Sequence, residues 1–440
     1  FKSTDLGKTW TSITANLPEA GVVRSIMQDP VKKDLLFVGT EFGLWVSING
    51  GEKWIQMKSG LPTIAIYDIA IQERENDLVL ASFGRGFYIL DDYTPLRNFT
   101  PEDLDKEGMI YPIKEGLMFE QKSGKYDQGH AYFTAPNPPY GVTFTYYVKD
   151  KVKTLKEIRK QAQAKARKDG TNPPYPTYAD LRAEEEEQTP FLVFTIKDAS
   201  GKVVKTIKTH QATGINRLTW SYDVEVPGNP SLRGDEANPM GTSPAPVTAL
   251  PGKYTVEMAR NVGGVITPLA GPEPFSFRLI NNSTLPAKDR STVIAFIEKA
   301  SKLSNALSAT MNEAASLSND VQYGKQLIFD YGGPDNLMTE LKSLETKLKD
   351  LQIRFRGNPI ISRLQDAAEP GLAQRIRSVR WISPNQEVPG TALEQYDIVS
   401  GELNKIVPEV DQIKQSVDKL KTEFDRLGYP WTPGREIPKW

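Results

Sequence analysis

The sequence predicts a multidomain chain in which blade-sized β repeats are followed by an immunoglobulin- or fibronectin-like β-sandwich and then a C-terminal α-helical bundle. Three observations carry this. A pattern of short strands and tight turns recurs at a spacing of 43 residues near the start. Alternating strands separated by Gly, Pro and Asp-Ser turns fill the middle, and sustained 3-4 spacing of apolar residues fills the end. With 440 residues the chain is also too long for one hydrophobic core.

The repeat comes first. Ser3-Thr4-Asp5-Leu6-Gly7-Lys8-Thr9-Trp10 and Ser47-Ile48-Asn49-Gly50-Gly51-Glu52-Lys53-Trp54 share the form S-x-(D or N)-x-G-x-x-W. An overlapping echo sets Ile26, Asp34, Leu35, Gly43, Leu44 and Trp45 against Ile69, Asp77, Leu78, Gly86, Phe87 and Tyr88. Each unit reads as strands over Val22–Met27, Leu35–Gly39 and Gly43–Ser47 followed by a turn, the size of one β-propeller blade. The box residues Ser3, Asp5, Gly7, Trp10, Ser47, Asn49, Gly51 and Trp54 are therefore expected to be structural. The Asp or Asn accepts N–H bonds within its own turn, the glycine takes a conformation other residues resist, and the Trp packs beneath the hairpin. A carboxylate tied into its own turn is a poor acid or base. Two units and a degenerate third are fewer than the roughly four blades that close a propeller. The remaining blades are expected upstream in the same protein or on another chain.

These boxes resemble the BNR or Asp-box repeats of sialidases and of sortilin-like propellers. The third unit, Gly84-Arg85-Gly86-Phe87-Tyr88-Ile89-Leu90-Asp91-Asp92, is similar to the G-R-x-F-x-x-L-D-D segment of large secreted bacterial proteins often labelled BNR-repeat glycosyl hydrolases. The resemblance implies that residues 1–97 are the last blades of an Asp-box propeller. It further implies a secreted, periplasmic or cell-surface location.

Residues 98–138 read as an irregular linker broken by Pro101, Pro112, Pro136 and Pro138. The β-sandwich is placed at 139–282, with strands over Gly141–Asp150, Pro190–Lys197, Val203–Lys208, Gly214–Trp220, Pro251–Val256 and Phe275–Leu279, and with Trp220 and Tyr254 turned inward. A charged helical insertion occupies about 151–188: Lys151–Lys168 is basic and Ala183–Gln188 is a Glu run, read as a solvated excursion. Pro227–Pro246 reads as a long loop. The helical bundle spans 287–427 and rests on three apolar series. These run from Val293 through Leu307 to Ala314, from Leu337 through Leu344 to Leu351, and from Leu403 through Ile413 to Leu427, with Pro408 expected to kink or restart the last. The proline-rich end, 428–440, reads as an extended strap over a neighbouring domain.

Composition narrows the chemistry. The charge is nearly balanced, with 54 Lys+Arg against 55 Asp+Glu, so no global field recruits nucleic acid. Cysteine is absent, and His130 and His210 are the only histidines, which argues against a thiol nucleophile, a metal site or a His triad. No apolar run reaches bilayer length. A sialidase would need an arginine cluster and a Tyr–Glu pair; Arg24, Arg85 and Arg97 are present, but no F-R-I-P-type segment precedes the boxes. Asp91 and Asp92 are adjacent and would face opposite sides of a strand. The sequence thus assigns no catalytic, cofactor or metal residue. Two functions stay open: a binding or scaffold propeller whose partner is a protein or glycan, or a glycoside hydrolase with its active site in blades outside this chain.

Overall fold

The computed structural model describes residues 1–119, 135–224, 247–280, 286–364, 367–380, 382 and 385–438. His130 and the whole Pro227–Pro246 loop lie outside the described residues. The chain divides into two compact units, each assembled from two stretches: Phe1–Tyr222 with Pro251–Ile280, and Asp223–Leu250 with Asn281–Trp440.

The first unit opens with a four-stranded antiparallel meander, β1 (Val23–Gln28), β2 (Leu36–Thr40), β3 (Gly43–Ser47) and β4 (Ile55–Met57). A second sheet follows, β5 (Ile66–Gln72), β6 (Asp77–Ser82) and β7 (Phe87–Leu90). Strand alternation sends Phe37, Leu44 and Val46 into a core shared with Ile66, Ile69, Leu78, Leu80 and Tyr93. It sends Leu36 and Val38 to the other face, against Trp54, Ile13 and Leu17. Hence β2 is buried along its whole length, and its sequence, LFVGT, is almost continuously apolar. The repeat extends to an irregularity: register shifts between Val23 and Ser25 in the first sheet and between Ile66 and Asp68 in the second, at equivalent positions.

The segment expected to be an irregular linker is partly regular. After α1 (Pro95–Asn98), it holds a 3-10 turn at Pro101–Asp105, β8 (Gly108–Ile110) and β9 (Gly116–Met118). Strands of three residues leave no periodic trace, and the prolines lie outside them. Next come β10 (Val142–Val148), α2 (Leu155–Lys168), α3 (Tyr178–Glu186), β11 (Phe191–Asp198), β12 (Val203–His210) and β13 (Gly214–Trp220). After β14 (Asp223–Val224) and β15 (Val247–Thr248), which belong to the second unit, the chain returns as β16 (Gly252–Val262) and β17 (Val265–Leu279).

These strands make two further sheets, ordered β13-β10-β8 and β12-β11-β16-β17-β9. Between them lies an aromatic core in which the Trp220 ring sits 5.5 Å from Tyr254, 6.0 Å from Phe275 and 5.7 Å from Phe277. Gly141, at φ +143°, admits the β10–β13 pairing, because a Cβ there would lie 2.2 Å from the Trp220 carbonyl oxygen. Strand β17 is longer than the Phe275–Leu279 expected. It contains Pro268, Pro272 and Pro274, but β9 pairs only with Phe277–Leu279, so the upstream stretch has no ladder partner on that side among the described residues.

In the second unit β14 pairs with β15, and Val247 packs on Val293 and Ile297 of α4 (Arg290–Tyr331). The remaining helices are α5 (Asp335–Arg356), α6 (Pro359–Arg363), α7 (Leu372–Arg380) and α8 (Gly390–Arg426). The apolar series read from the sequence is buried on α5 at Leu337, Leu341, Leu344, Leu348 and Leu351, and on α8 from Leu403 to Phe424. Leu427, the last member of the series, is instead exposed just past the helix end. Ion pairs run between the helices: Lys325 with Glu345 joins α4 to α5, while Lys414–Glu313 and Lys421–Asp320 join α8 to α4, which run parallel. Glu345, bonded by Lys325, Lys349 and Gln322, is held down to a pKa of about 2. Short α7 was not foreseen; it adds Leu372, Ile376 and Val379 to the same core.

Of the kink or restart expected at Pro408, there is no restart: α8 runs unbroken through it. The residue is exposed, as is Asn404, whose carbonyl loses its N–H partner, so the missing bond falls on the solvated face while Leu403, Ile406 and Val410 hold the buried one. Pro408→Ala is therefore expected to stabilise this unit by about 1–3 kcal/mol, read as a rise in the urea midpoint. The terminal strap was expected to lie over a neighbouring domain. Through residue 438 it bonds to its own unit, with Tyr429 donating to the Gly332 carbonyl and Arg435 paired with Asp425.

Candidate functional site

The box residues come together in two matching turns. Ser3 Oγ accepts from Gly7 N at 2.7 Å and Asp5 Oδ1 from Thr9 N at 2.9 Å. In the second turn Ser47 Oγ accepts from Gly51 N at 2.9 Å and Asn49 Oδ1 from Lys53 N at 3.1 Å. Each serine also donates to the Asp or Asn two residues on. The Thr9 backbone and hydroxyl bonds, with help from Ser3, lower the Asp5 carboxyl to about 2. The tryptophans diverge. Trp54 is buried and donates to the Ile13 carbonyl at 2.8 Å, whereas Trp10 is 62% exposed and donates only to Gly7 O within its own turn.

A second constellation, not singled out by motif, binds the loop after β1 to the segment after β7. Asp29 Oδ2 accepts from Tyr93 Oη at 2.6 Å and Arg97 Nε at 2.8 Å, while Oδ1 accepts from Val31 N and Lys32 N at 2.8 and 2.6 Å. Burial opposes ionisation of Asp29, but the bonds from Tyr93, the Lys32 backbone, Arg97 and Val31 outweigh it and hold the carboxyl below its usual range. Burial and the neighbouring Asp29 push the Tyr93 phenol well up. This cluster forms a wall.

Beside it opens a cleft of about 550 Å³. Its polar lining includes Lys32, Asn76, Asp92, Thr94, Asn98 and Lys114, with Val31, Pro112 and Ile113 as the apolar part. The groups are fixed from several directions. Lys32 Nζ donates to the carbonyls of Arg97 and Phe99, and Lys114 Nζ to Glu75 Oε2 and to the Glu75 carbonyl. Asp92, at φ +43°, accepts from Thr94 N and Oγ1, donates its own N–H to Asp77, and offers its carbonyl to Arg217. The Lys114 hydrogen bond keeps Glu75 below the usual carboxylate range. Asp91, in contrast, is raised by burial and by Asp77, with Arg217 and Lys114 opposing.

Sequence reasoning missed this cleft. Its residues come from separate turns with no local spacing to link them; the one signal was the D-D-Y-T run after β7, which carries Asp92 and Thr94 into it. Among the described residues no group of His, Asp and Glu is arranged to hold a metal ion, and no helix is long and apolar enough to cross a membrane. Amide, carboxylate, hydroxyl and ammonium groups over a small aliphatic patch are the chemistry of hydrogen-bonded recognition.

No family model matches the chain, and no curated protein matches it. Among solved structures, the chain is similar to the extracellular domain of a one-component system from B. thetaiotaomicron, at 12% identity and a TM-score of 0.14 over 59% of this chain and 25% of that one. The extracellular domain of a hybrid two-component system from the same organism gives 13% and 0.14 over the same shares. Dimeric latent PorU from Porphyromonas gingivalis gives 11% and 0.19, over 59% of this chain and 20% of that one. The chain thus spans about a quarter or less of the length of these structures.

Proposed function

We propose that this chain is the non-catalytic C-terminal part of a secreted or cell-surface binding and scaffold protein of the Asp-box propeller type. On this reading residues 1–97 supply its last blades, and the pairs of sheets and helices beyond them serve as an immunoglobulin- or fibronectin-like sandwich and a helical bundle. The observation that carries it is how the acids of the repeats are used. Asp5 is consumed within its own turn and Asp29 between Tyr93 and Arg97, both held ionised by donors, so each holds the fold rather than trading protons. The equivalent irregularities in β1 and β5 support two copies of one blade. The outer face of β5–β7 adds to this: Phe87 and Ile89 are 74% and 60% exposed beside Ala81 and Val79, an apolar face suited to a further blade.

The ligand is a glycan or a protein loop held in the cleft of Asp92 and Lys114. On an array of neutral and acidic oligosaccharides, or against captured surface proteins, binding is expected to fall about tenfold in both Asn76→Gly and Lys114→Met. Both variants should keep the wild-type unfolding transition. Unchanged binding in both would remove the cleft from the reading. A second reading, glycoside hydrolysis, places the active site in blades outside this chain. Release of reducing sugar by a protein in which this chain is joined to further blades, with none released by this chain alone, would replace the first reading with the second.

A further inference from the structure

The helical hairpin of α2 and α3 is built on capping boxes at Thr154 with Glu157 and at Thr177 with Asp180. Its legs meet through Arg159, which grips both oxygens of Glu184, and Leu155 N donates to Glu187 at the base. Val152 N is bonded to Gln211 there as well. Beyond those ties no residue of either helix is buried, so the hairpin stands out from its sheet. Its antiparallel register places the end of α2 beside the start of α3. That tip carries Lys165, Arg167 and Lys168, none of them in an ion pair among the described residues. It also carries Tyr175 and Tyr178, 95% and 82% exposed, on either side of Pro176-Thr177.

A solvated salt-bridged hairpin accounts for Arg159 and Glu184 but not for two bare aromatic rings beside three unpaired cations. We propose that this tip docks on an anionic phospholipid surface. The cations meet lipid phosphates, and the tyrosines, apolar in the ring and polar at the hydroxyl, settle at headgroup level. Lys side chains add their methylene stems to the contact. The two exposed tyrosines favour a lipid interface over a soluble polyanion, because only an interface offers the ring an apolar side and the hydroxyl a polar one.

The test is flotation of the full chain with vesicles of phosphatidylcholine alone and of phosphatidylcholine mixed with phosphatidylglycerol. Partition into the anionic vesicles should exceed that into the neutral ones by about tenfold or more, and should vanish in about 1 M salt, where charges are screened within a few ångströms. The combined Lys165→Glu, Arg167→Glu and Lys168→Glu variant should lose about a hundredfold, each basic residue contributing roughly fivefold at an anionic surface. Tyr175→Ser with Tyr178→Ser should weaken partition while leaving its salt dependence intact. All five positions are exposed, so an unchanged thermal transition will separate lost docking from lost folding. Equal partition into both vesicles, or wild-type partition by the triple variant, overturns the proposal. So does retention on a soluble acidic polymer with no vesicle binding.

Discussion

Trp220→Ala is expected to destabilise the β-rich unit by about 3–5 kcal/mol, lowering its urea midpoint without changing its secondary-structure signature. The residue is fully buried at the end of β13, and its indole contacts Tyr222, Tyr254, Phe275 and Phe277. Truncation removes the largest side chain in that core and opens a cavity that the surrounding rings cannot close. Tyr254 is pinned by β16 and Phe275 and Phe277 by β17, with Tyr254 and Phe275 facing each other across the pair. Gly141 adds to the rigidity, because the backbone beneath Trp220 already sits against it and has no room to follow. Trp220→Phe, which refills part of the volume, should recover about half of the loss. A cost below about 1 kcal/mol for the alanine variant would mean that the two sheets do not share this core.

Asp29→Ala should cost as much, about 3–5 kcal/mol, for an electrostatic reason. Its carboxylate is inaccessible, and its removal strands the guanidinium of Arg97, itself only 15% exposed, together with the N–H groups of Val31 and Lys32. The penalty is the desolvation of donors left without an acceptor. Its pH dependence has a definite sign. The folded carboxyl lies below the unfolded value near 3.8, so the stabilisation is complete above that value and is lost as pH falls through the lower folded one. The gap in urea midpoint between wild type and Asp29→Ala should therefore be widest at neutral pH and narrow in acid below 3.8. A gap that is constant with pH would mean that the charge of Asp29 plays no part.

The sequence was most legible where one periodic signal governs one face. The leucines of α5 and the apolar residues of α8 could be read because a helix must bury every third or fourth residue, and they do. The strand pair β2–β3 was legible because its apolar runs are bounded by Asp34, Gly43 and the box. Elements held by tertiary contacts alone escaped. Strand β9 has three residues and exists because β17 offers an edge beside it, and α7 is a two-turn helix whose Leu372, Ile376 and Val379 are too few to establish a period. Strand β17 runs longer than the Phe275–Leu279 read from the sequence for a related reason, since whether a proline's missing N–H matters depends on which side of a strand is paired. The cleft was beyond sequence reading altogether. Asn76, Asp92 and Lys114 converge only because β6 and β7 bring their flanking turns together and Glu75 holds Lys114 in place. The box turns, whose bonds span four residues, needed no such convergence.

The five-stranded sheet is completed out of order, and that shapes how the protein must be made. Its middle strand, β16, is encoded after the whole β14–β15 excursion, whereas β11 and β12 on one side and β9 on the other are encoded before it. As the nascent chain leaves the ribosome, the β11–β12 hairpin emerges with the β11 edge that pairs with β16 still open. It stays so until Pro251–Ile280 has been synthesised. That interval is the window in which a sticky edge can capture a neighbouring polypeptide, so the yield of native protein should depend on holdase chaperones and on translation speed through the excursion.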